Sequence, residues 1–325
     1  MFFYEYVILF VLCLFVFSKL TCGRCYSKTC LVGKTAIITG GNSGVGYETA
    51  LALASRGCRV IIADKDDSSV SRQKIIDETT NKNVTSTILD LGSLVSVRKF
   101  AENVVRTEPR LDILIMNAGI GSNKLIHTND GIQITMQVNY LGHFLLTFLL
   151  LDLMKKSSPS RIIFTSSTGA YFTKFSLEDL NPTKDYPRQH RIYLNSKLCL
   201  ILFARYLSTK LKGTNVTVNC VHPGGVRSAI YLRAFRVEKS IFPLILGFVT
   251  LILGKNAEEG AQTTLHVACE KSLEDVSGKF FIDCVSVFSP YQAYDMQLCT
   301  EMVELSKTLV KLQPEECILS EKVLN

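Results

Sequence analysis

The sequence predicts an α/β fold: a single doubly wound parallel sheet with helices on both faces. Three observations carry that expectation. Short β-branched runs alternate with helical stretches from Lys34 onward, as in a parallel sheet covered on both sides. A glycine-rich turn, TGGNSGVG from Thr39 to Gly46, follows the first such run and opens the first helix. The chain of 325 residues is 47% hydrophobic and 20% charged, so it can bury one large core and is not a disordered polymer.

Taken in order, TAIIT reads as the first strand, GYETALALASRG as a helix and RVIIAD as the second strand. A polar helical stretch follows from Asp66 to Thr80, then the strand NVTSTILDL, the helix SVRKFAENVVRT and the strand LDILIMNAG. Next come the long helical segment GIQITMQVNYLGHFLLTFLLLDLMKK and the strand RIIFTSS. After a loop rich in Pro, Asp and Lys, the helix RIYLNSKLCLILFARYLSTKLKG leads to the strand NVTVNCVHPGG. Each strand is a short continuous apolar run, as expected where both faces are buried. No repeat and no linker divides the chain. The expected partition is 1–20 as membrane anchor or signal, 34–288 as one Rossmann-type domain, and 289–325 as a C-terminal helix and tail.

MFFYEYVILFVLCLFVFSKL is apolar apart from Glu5 until Lys19. About 20 residues just reach across a hydrocarbon core. The segment is a membrane anchor or a cleaved secretory signal. Lys19, Arg24, Lys28 and Lys34 follow it, and basic residues after an anchor place the domain on the cytosolic side. The expected location is the endoplasmic reticulum membrane, facing the cytosol; cleavage would make the protein secreted. With the domain on the cytosolic side, the sequons at Asn83 and Asn215 go unused. The apolar stretch 241–254, IFPLILGFVTLILG, is too short to span upright. It reads as a buried core helix or as a lid dipping into the membrane surface.

The net charge of +7 is not concentrated in any basic block, so no nucleic-acid partner is expected. The 11 cysteines are odd in number and irregularly spaced, which fits free thiols in a reducing compartment. Cys22-Gly-Arg-Cys25 has no second pair and no His pair at zinc spacing. No metal site is expected, and this pair reads as chance or as a juxtamembrane acylation site.

The chemistry lies in the turns. In TGGNSGVG, backbone N–H groups and a helix N-terminus would face an anion such as a dinucleotide pyrophosphate. Asp64 closes the second strand, 24 positions after Gly40, where a carboxylate can accept from a ribose 2′-OH and repel a 2′-phosphate. That favours NAD. Its neighbour Lys65 could instead pair with a 2′-phosphate, and Asp64 could simply cap the next turn. Tyr193 and Lys197 stand four apart on a helix and share a face. A phenol beside an ammonium has its ionised form stabilised and can act as general acid or base on an alcohol or carbonyl oxygen. His222 beside Pro223 reads as a loop-shaping residue, His143 as a packing histidine, and HFLLTFLLLDL as core or homodimer interface. Ser, His and Asp do not form a nucleophile elbow.

On these motifs the chain resembles a short-chain dehydrogenase/reductase and, within that family, the membrane-anchored retinol dehydrogenase group. TGGNSGVG matches the cofactor loop: Gly40, Asn42, Ser43, Gly44, Val45 and Gly46. Asp90, with Leu91 beside it, matches the acid that contacts adenine. Met116-Asn117-Ala118-Gly119 matches the family's Asn-Asn-Ala-Gly run with Met for the first Asn. His222-Pro223-Gly224, with Val226 and Ser228 following, matches the loop over the nicotinamide. VNYLGHFLLT, KLKGTNVTVNCVHPG and the insert containing LEDLNP point to the retinol dehydrogenase group.

The resemblance implies a catalytic set of Asn139, Ser167, Tyr193 and Lys197. Ser167 would position the substrate oxygen and Tyr193 would exchange a proton with it. Lys197 would favour the ionised phenol and hold the nicotinamide ribose, and Asn139 would orient a proton-relaying water. The implied reaction is hydride transfer between NAD or NADP and a small lipophilic alcohol or aldehyde, retinol and retinal first. Steroids, polyprenols and fatty aldehydes are the alternatives. A non-catalytic nucleotide-binding membrane protein is the alternative of another class.

Overall fold

A computed structural model describes residues 19, 21–121, 125–183, 186–227 and 254–316. The apolar segment 1–18, expected to be an anchor or signal, together with Ser228 and residues 241–253, lies outside these. The strands are β1 (Thr35–Thr39), β2 (Arg59–Asp64), β3 (Val84–Ile88), β4 (Ile113–Met116), β5 (Ser160–Thr165), β6 (Val216–His222), β7 (Phe280–Ile282) and β8 (Val285–Val287). They form one sheet in the order β3-β2-β1-β4-β5-β6-β7-β8. All pairings are parallel except that of β7 with β8. The order reverses between β1 and β4, and ligands of open α/β sheets bind at such a switch point, beyond the strands' C-terminal ends.

The fully parallel sheet read from the sequence therefore needs one correction. The edge strand β8 runs antiparallel, reached through the turn at Asp283 and Cys284. Both turn residues have positive φ, 50° and 64°, as a two-residue hairpin turn requires.

Successive strand residues point to opposite faces. Ile37, Leu114 and Ile162 feed one core cluster, while Ile38, Ile115 and Ile163 feed the other. Helices cover both faces: α1 (Gly44–Ala54), α2 (Ser69–Thr79), α3 (Leu94–Thr107), α4 (Ile134–Lys156), α5 (Ile192–Lys210), α6 (Ala257–Cys269) and α7 (Met296–Leu309). α4 is long and apolar enough to cross a bilayer, yet 83% of its apolar window is buried inside the fold. Phe144 and Phe148 on α4 meet Phe203 of α5 and Phe164 of β5 in one aromatic cluster. The HFLLTFLLLDL stretch is thus core. α6 was not marked by the sequence reading; its start is fixed by a reciprocal cap between Asn256 and Glu259. The tail helix α7 buries Cys299, Met302 and Val303 in the same core, and Ser306 meets the Tyr140 hydroxyl at 2.9 Å.

Candidate active site

The TGGNSGVG turn connects β1 to α1, with Ser43 in extended backbone as the helix cap. Gly40 has φ +67°, and a Cβ there would lie 2.9 Å from the Ala118 Cα. A Cβ on Gly46 would overlap the Gly40 carbonyl and lie 2.6 Å from Asn117 Nδ2. Only glycine allows the turn to fold this tightly against the end of β4. Asn117 Nδ2 donates to the carbonyls of Thr39 and Gly40 at 3.1 and 3.3 Å, so Asn117 ties β4 to the turn.

Beneath the turn lies a buried polar chain. The N–H groups of Asn117 and Ala118 donate to Thr39 Oγ1 at 2.9 and 3.0 Å. Thr39 Oγ1 in turn lies 2.9 Å from His143 Nε2, and His143 Nδ1 lies 3.0 Å from the Asn139 carbonyl. A carbonyl only accepts, so Nδ1 carries the proton and Nε2 accepts from the Thr39 hydroxyl. Burial pushes His143 down to about 3, so it stays neutral. It is a satisfied interior histidine, and it joins β1 to the residue expected in the catalytic set.

Asn139 sits where α4 is locally widened: Gly142 N–H reaches back five residues to the Gln137 carbonyl. Such π-turns recur at functional sites. The Asn139 side chain accepts from Ile120 N–H at 2.8 Å and donates to the Ile120 carbonyl and to Ser196 Oγ, each at 3.0 Å. Ser196 donates onward to the Tyr193 carbonyl at 2.7 Å. The Asn139 amide therefore links the β4 turn to the first turns of α5.

Tyr193 and Lys197 lie on α5, with the Lys197 ammonium 5.8 Å from the centre of the Tyr193 ring. Lys197 is buried and donates to the Thr165 carbonyl at 2.9 Å. Burial lowers it to about 8. A Cβ built on Gly119 would stand 3.2 Å from Lys197 Nζ and 3.4 Å from Asn139 Oδ1; the absent side chain leaves room for both groups. Of the two serines after β5, Ser166 donates to the Lys197 carbonyl at 2.7 Å and is buried. The Ser167 hydroxyl caps the following turn by accepting from Gly169 N–H at 3.1 Å. A Cβ on Gly169 would touch both Ser167 Oγ, at 3.3 Å, and Leu194, so this hydroxyl stands beside the first turn of α5.

The remaining sequence-marked residues ring this cluster. The Asp64 carboxylate accepts from the N–H groups of Asn42 and Asp66, each at 3.3 Å, and Lys65 is exposed. Asp90 accepts from Gly92 N–H at 2.8 Å, with Leu91 buried beneath it. Val45 and Val226 both pack on Gly260. His222 Nε2 lies 3.3 Å from Thr168 Oγ1, and burial with the nearby Lys255 charge brings it down to about 4. Ser228 lies outside the described residues. Among the described residues no His, Cys, Asp and Glu group could hold a metal. The sequence reading passed over Thr39 and Ser196; both stand inside the motifs it quoted, where attention fell on the glycines and on Tyr193.

The residues at these strand ends suit a nicotinamide dinucleotide. Thr165 Oγ1 and His222 Nδ1, at the ends of β5 and β6, are buried with no hydrogen-bond partner. Buried polar groups are rarely left so, and a bound ligand can complete them. Residues 34–236 match the family model for short chain dehydrogenases, and the chain belongs to that family: it is a nicotinamide-dependent oxidoreductase. It is 43% identical over 266 residues to human "Retinol dehydrogenase 12", covering 81% of each chain. It is 42% identical over 262 residues to "Retinol dehydrogenase 13" of Mus musculus, covering 80% of this chain and 78% of the relative. Among solved structures, a putative uncharacterized protein from Mycobacterium Paratuberculosis superposes with TM-score 0.70 at 28% identity, covering 89% of this chain and 98% of that one.

Proposed function

We propose that the protein interconverts a lipophilic alcohol and its aldehyde, retinol and retinal first, using Tyr193 as acid and base. The observation that carries this reading is the buried Lys197 ammonium beside the Tyr193 ring. A charge in a dry site acts more strongly on its neighbour than it would in water. The retinol assignment rests on the two relatives named above, each about as long as this chain.

When bound, the nicotinamide supplies or accepts the hydride, and the protein supplies orientation and electrostatics. Ser167 holds the substrate oxygen in line with Tyr193. Tyr193 gives the proton to that oxygen or takes it away. Lys197 favours the ionised phenol and, with one N–H given to the Thr165 carbonyl, would offer another to a ribose hydroxyl. Both Asn139 amide donors are engaged by Ile120 and Ser196, so a relaying water would donate to its Oδ1 or to nearby backbone. When the cofactor is bound, Gly40 to Gly46 would cradle its pyrophosphate, Asp90 and Leu91 would flank the adenine, Asn117 to Gly119 would line the middle, and Pro223, Gly224 and Val226 would cover the nicotinamide. Asp64, pinned by two amides, favours NAD over NADP, with Lys65 as the competing influence. The N-terminal apolar segment moors the enzyme in the endoplasmic reticulum membrane, catalytic domain toward the cytosol, where a lipid-dissolved substrate is at hand.

The test is kcat/KM for retinol and retinal with all four nicotinamide forms, on the full chain in lipid. Retinoid turnover with a preference for NAD(H) is expected. Turnover of steroid or fatty carbonyls at a hundredfold higher kcat/KM would sink the substrate assignment, and a strong NADP(H) preference would show that Lys65 outweighs Asp64.

A further inference from the structure

The segment that follows the anchor does not hang free. Lys19 pairs with Glu259 at 2.7 Å, in the first turn of α6. Cys25 N–H donates to Gln262 Oε1 at 3.0 Å and Ser27 Oγ to the Cys269 carbonyl at 3.0 Å. These contacts run along α6 from its first turn to its last residue before the chain enters β1. Because α6 leads into a parallel strand, its first turn lies at the C-terminal edge of the sheet, where the cofactor residues are gathered. Lys19, the residue next to the apolar segment, thus lies at the catalytic edge.

Asp283 stands where three segments meet at that edge. It occupies the β7–β8 turn with φ +50°. Its Oδ1 accepts from Gly23 N–H at 3.2 Å and is ion-paired with Lys255. Lys255 in turn holds the loop after β6: Arg227 N–H donates to the Lys255 carbonyl and Lys255 N–H to the Gly225 carbonyl, each at 2.9 Å. The Lys255 side chain lies over Gly224, where an added Cβ would stand 2.8 Å from its Cδ and Cε. Val226 of the same loop shares Gly260 with Val45 of the phosphate turn.

We propose that Asp283 is a positioning residue that ties the anchor-side strap, through Lys255, to the loop over the cofactor. Mooring and cofactor binding are then one mechanical unit. A shift of the strap moves the carboxylate, the carboxylate moves Lys255, and Lys255 sets where residues 224–227 close. Neither Asp283 nor Lys255 touches the reacting atoms in this scheme. The inference rests on the reading that residues 222–227 cover the nicotinamide.

The experiment measures NADH and NADPH dissociation constants by fluorescence on the full chain in lipid nanodiscs, alongside KM and kcat. Asp283→Ala should weaken nucleotide binding about tenfold, a loss of about 1.4 kcal/mol, and raise the cofactor KM in step. kcat at saturating cofactor should stay within about threefold. Asp283→Glu and Lys255→Arg should recover most of the affinity, and Lys255→Met should not. Gly23→Ala, whose Cβ would overlap the Asp283 backbone, should weaken binding in the same direction. Wild-type affinity in folded Asp283→Ala and Gly23→Ala overturns the inference. So does a loss confined to thermal stability, with affinity unchanged in the folded fraction. A wild type that binds neither nucleotide overturns the cofactor reading and this inference with it.

Discussion

Asn139 and Asp64 both present polar side chains near the C-terminal edge of the same sheet, but their surroundings differ. Asn139 is fully buried, and its amide bonds span the β4 turn and α5. Asp64 is half-buried at the end of β2, held only by amides of adjoining loops. Inside, a polar group without a partner is costly, so every bond fixes a geometry. At the rim, water can replace a lost bond, so residues there can change without loosening the fold. The end of the sheet that would do chemistry is over-determined, and the end that would choose the cofactor is open to adjustment.

Four measurements sharpen or break that contrast. The largest effect is expected at Tyr193→Phe: kcat falls by about 10²–10⁴-fold while nucleotide binding, read by fluorescence, is retained. Near-normal turnover in this variant would break the assignment of the interior cluster as catalytic. Next is His143→Leu, which leaves the Thr39 O–H without its acceptor and takes the ring N–H from the Asn139 carbonyl. Each orphaned buried group costs roughly 1–3 kcal/mol, read as a lower denaturant midpoint; an unchanged midpoint would mean the buried chain constrains nothing. At the rim, Asp64→Ala should shift the NAD/NADP ratio of kcat/KM on the order of tenfold, or about 1.4 kcal/mol, with the midpoint unmoved. A large loss of stability there would erase the distinction between the two regions.

The smallest effect is a slope. Lys197 is lowered by burial to about 8, against an ordinary 10.5. Between those values the unfolded chain binds the proton and the folded chain does not, so this group's contribution to stability rises with pH. Subtracting the stability profile of Lys197→Met from that of the wild type should isolate a rise from about pH 8 to 10.5. A flat difference would mean that Lys197 is better solvated than its burial implies.

Much of the fold was legible because burial on both faces writes itself as short apolar runs. TAIIT and ILIM are buried throughout, and their continuous apolar runs between turn signals mark them. β7 and β8 escaped because each is only three residues long, too short for any period. The antiparallel turn at Asp283 and Cys284 depends on φ values that the residue types merely permit. Tyr193 and Lys197 were legible through helical spacing. Ser167 is chosen over Ser166 by resemblance alone; the physical difference, that Ser166 gives its hydroxyl to the Lys197 carbonyl of α5, exists only in the fold. His143 read as a packing histidine; its partners, Thr39 and Asn139, lie 104 and 4 positions away, and only the first of these is beyond the reach of local pattern.

The amino-acid sequence by itself determined the strand–helix alternation, the glycine turn, the spacing of Tyr193 and Lys197, and the apolar start of the chain. These are local properties, set by which side chains fit a pleat, a turn or a helix face. The tertiary structure alone decided that Lys197 is dry, that both Asn139 amide donors are engaged, and that Gly23 and Lys255 meet at the Asp283 carboxylate. Those facts depend on desolvation and on contacts between segments far apart in the chain, which exist only once the sheet has brought its C-terminal ends together.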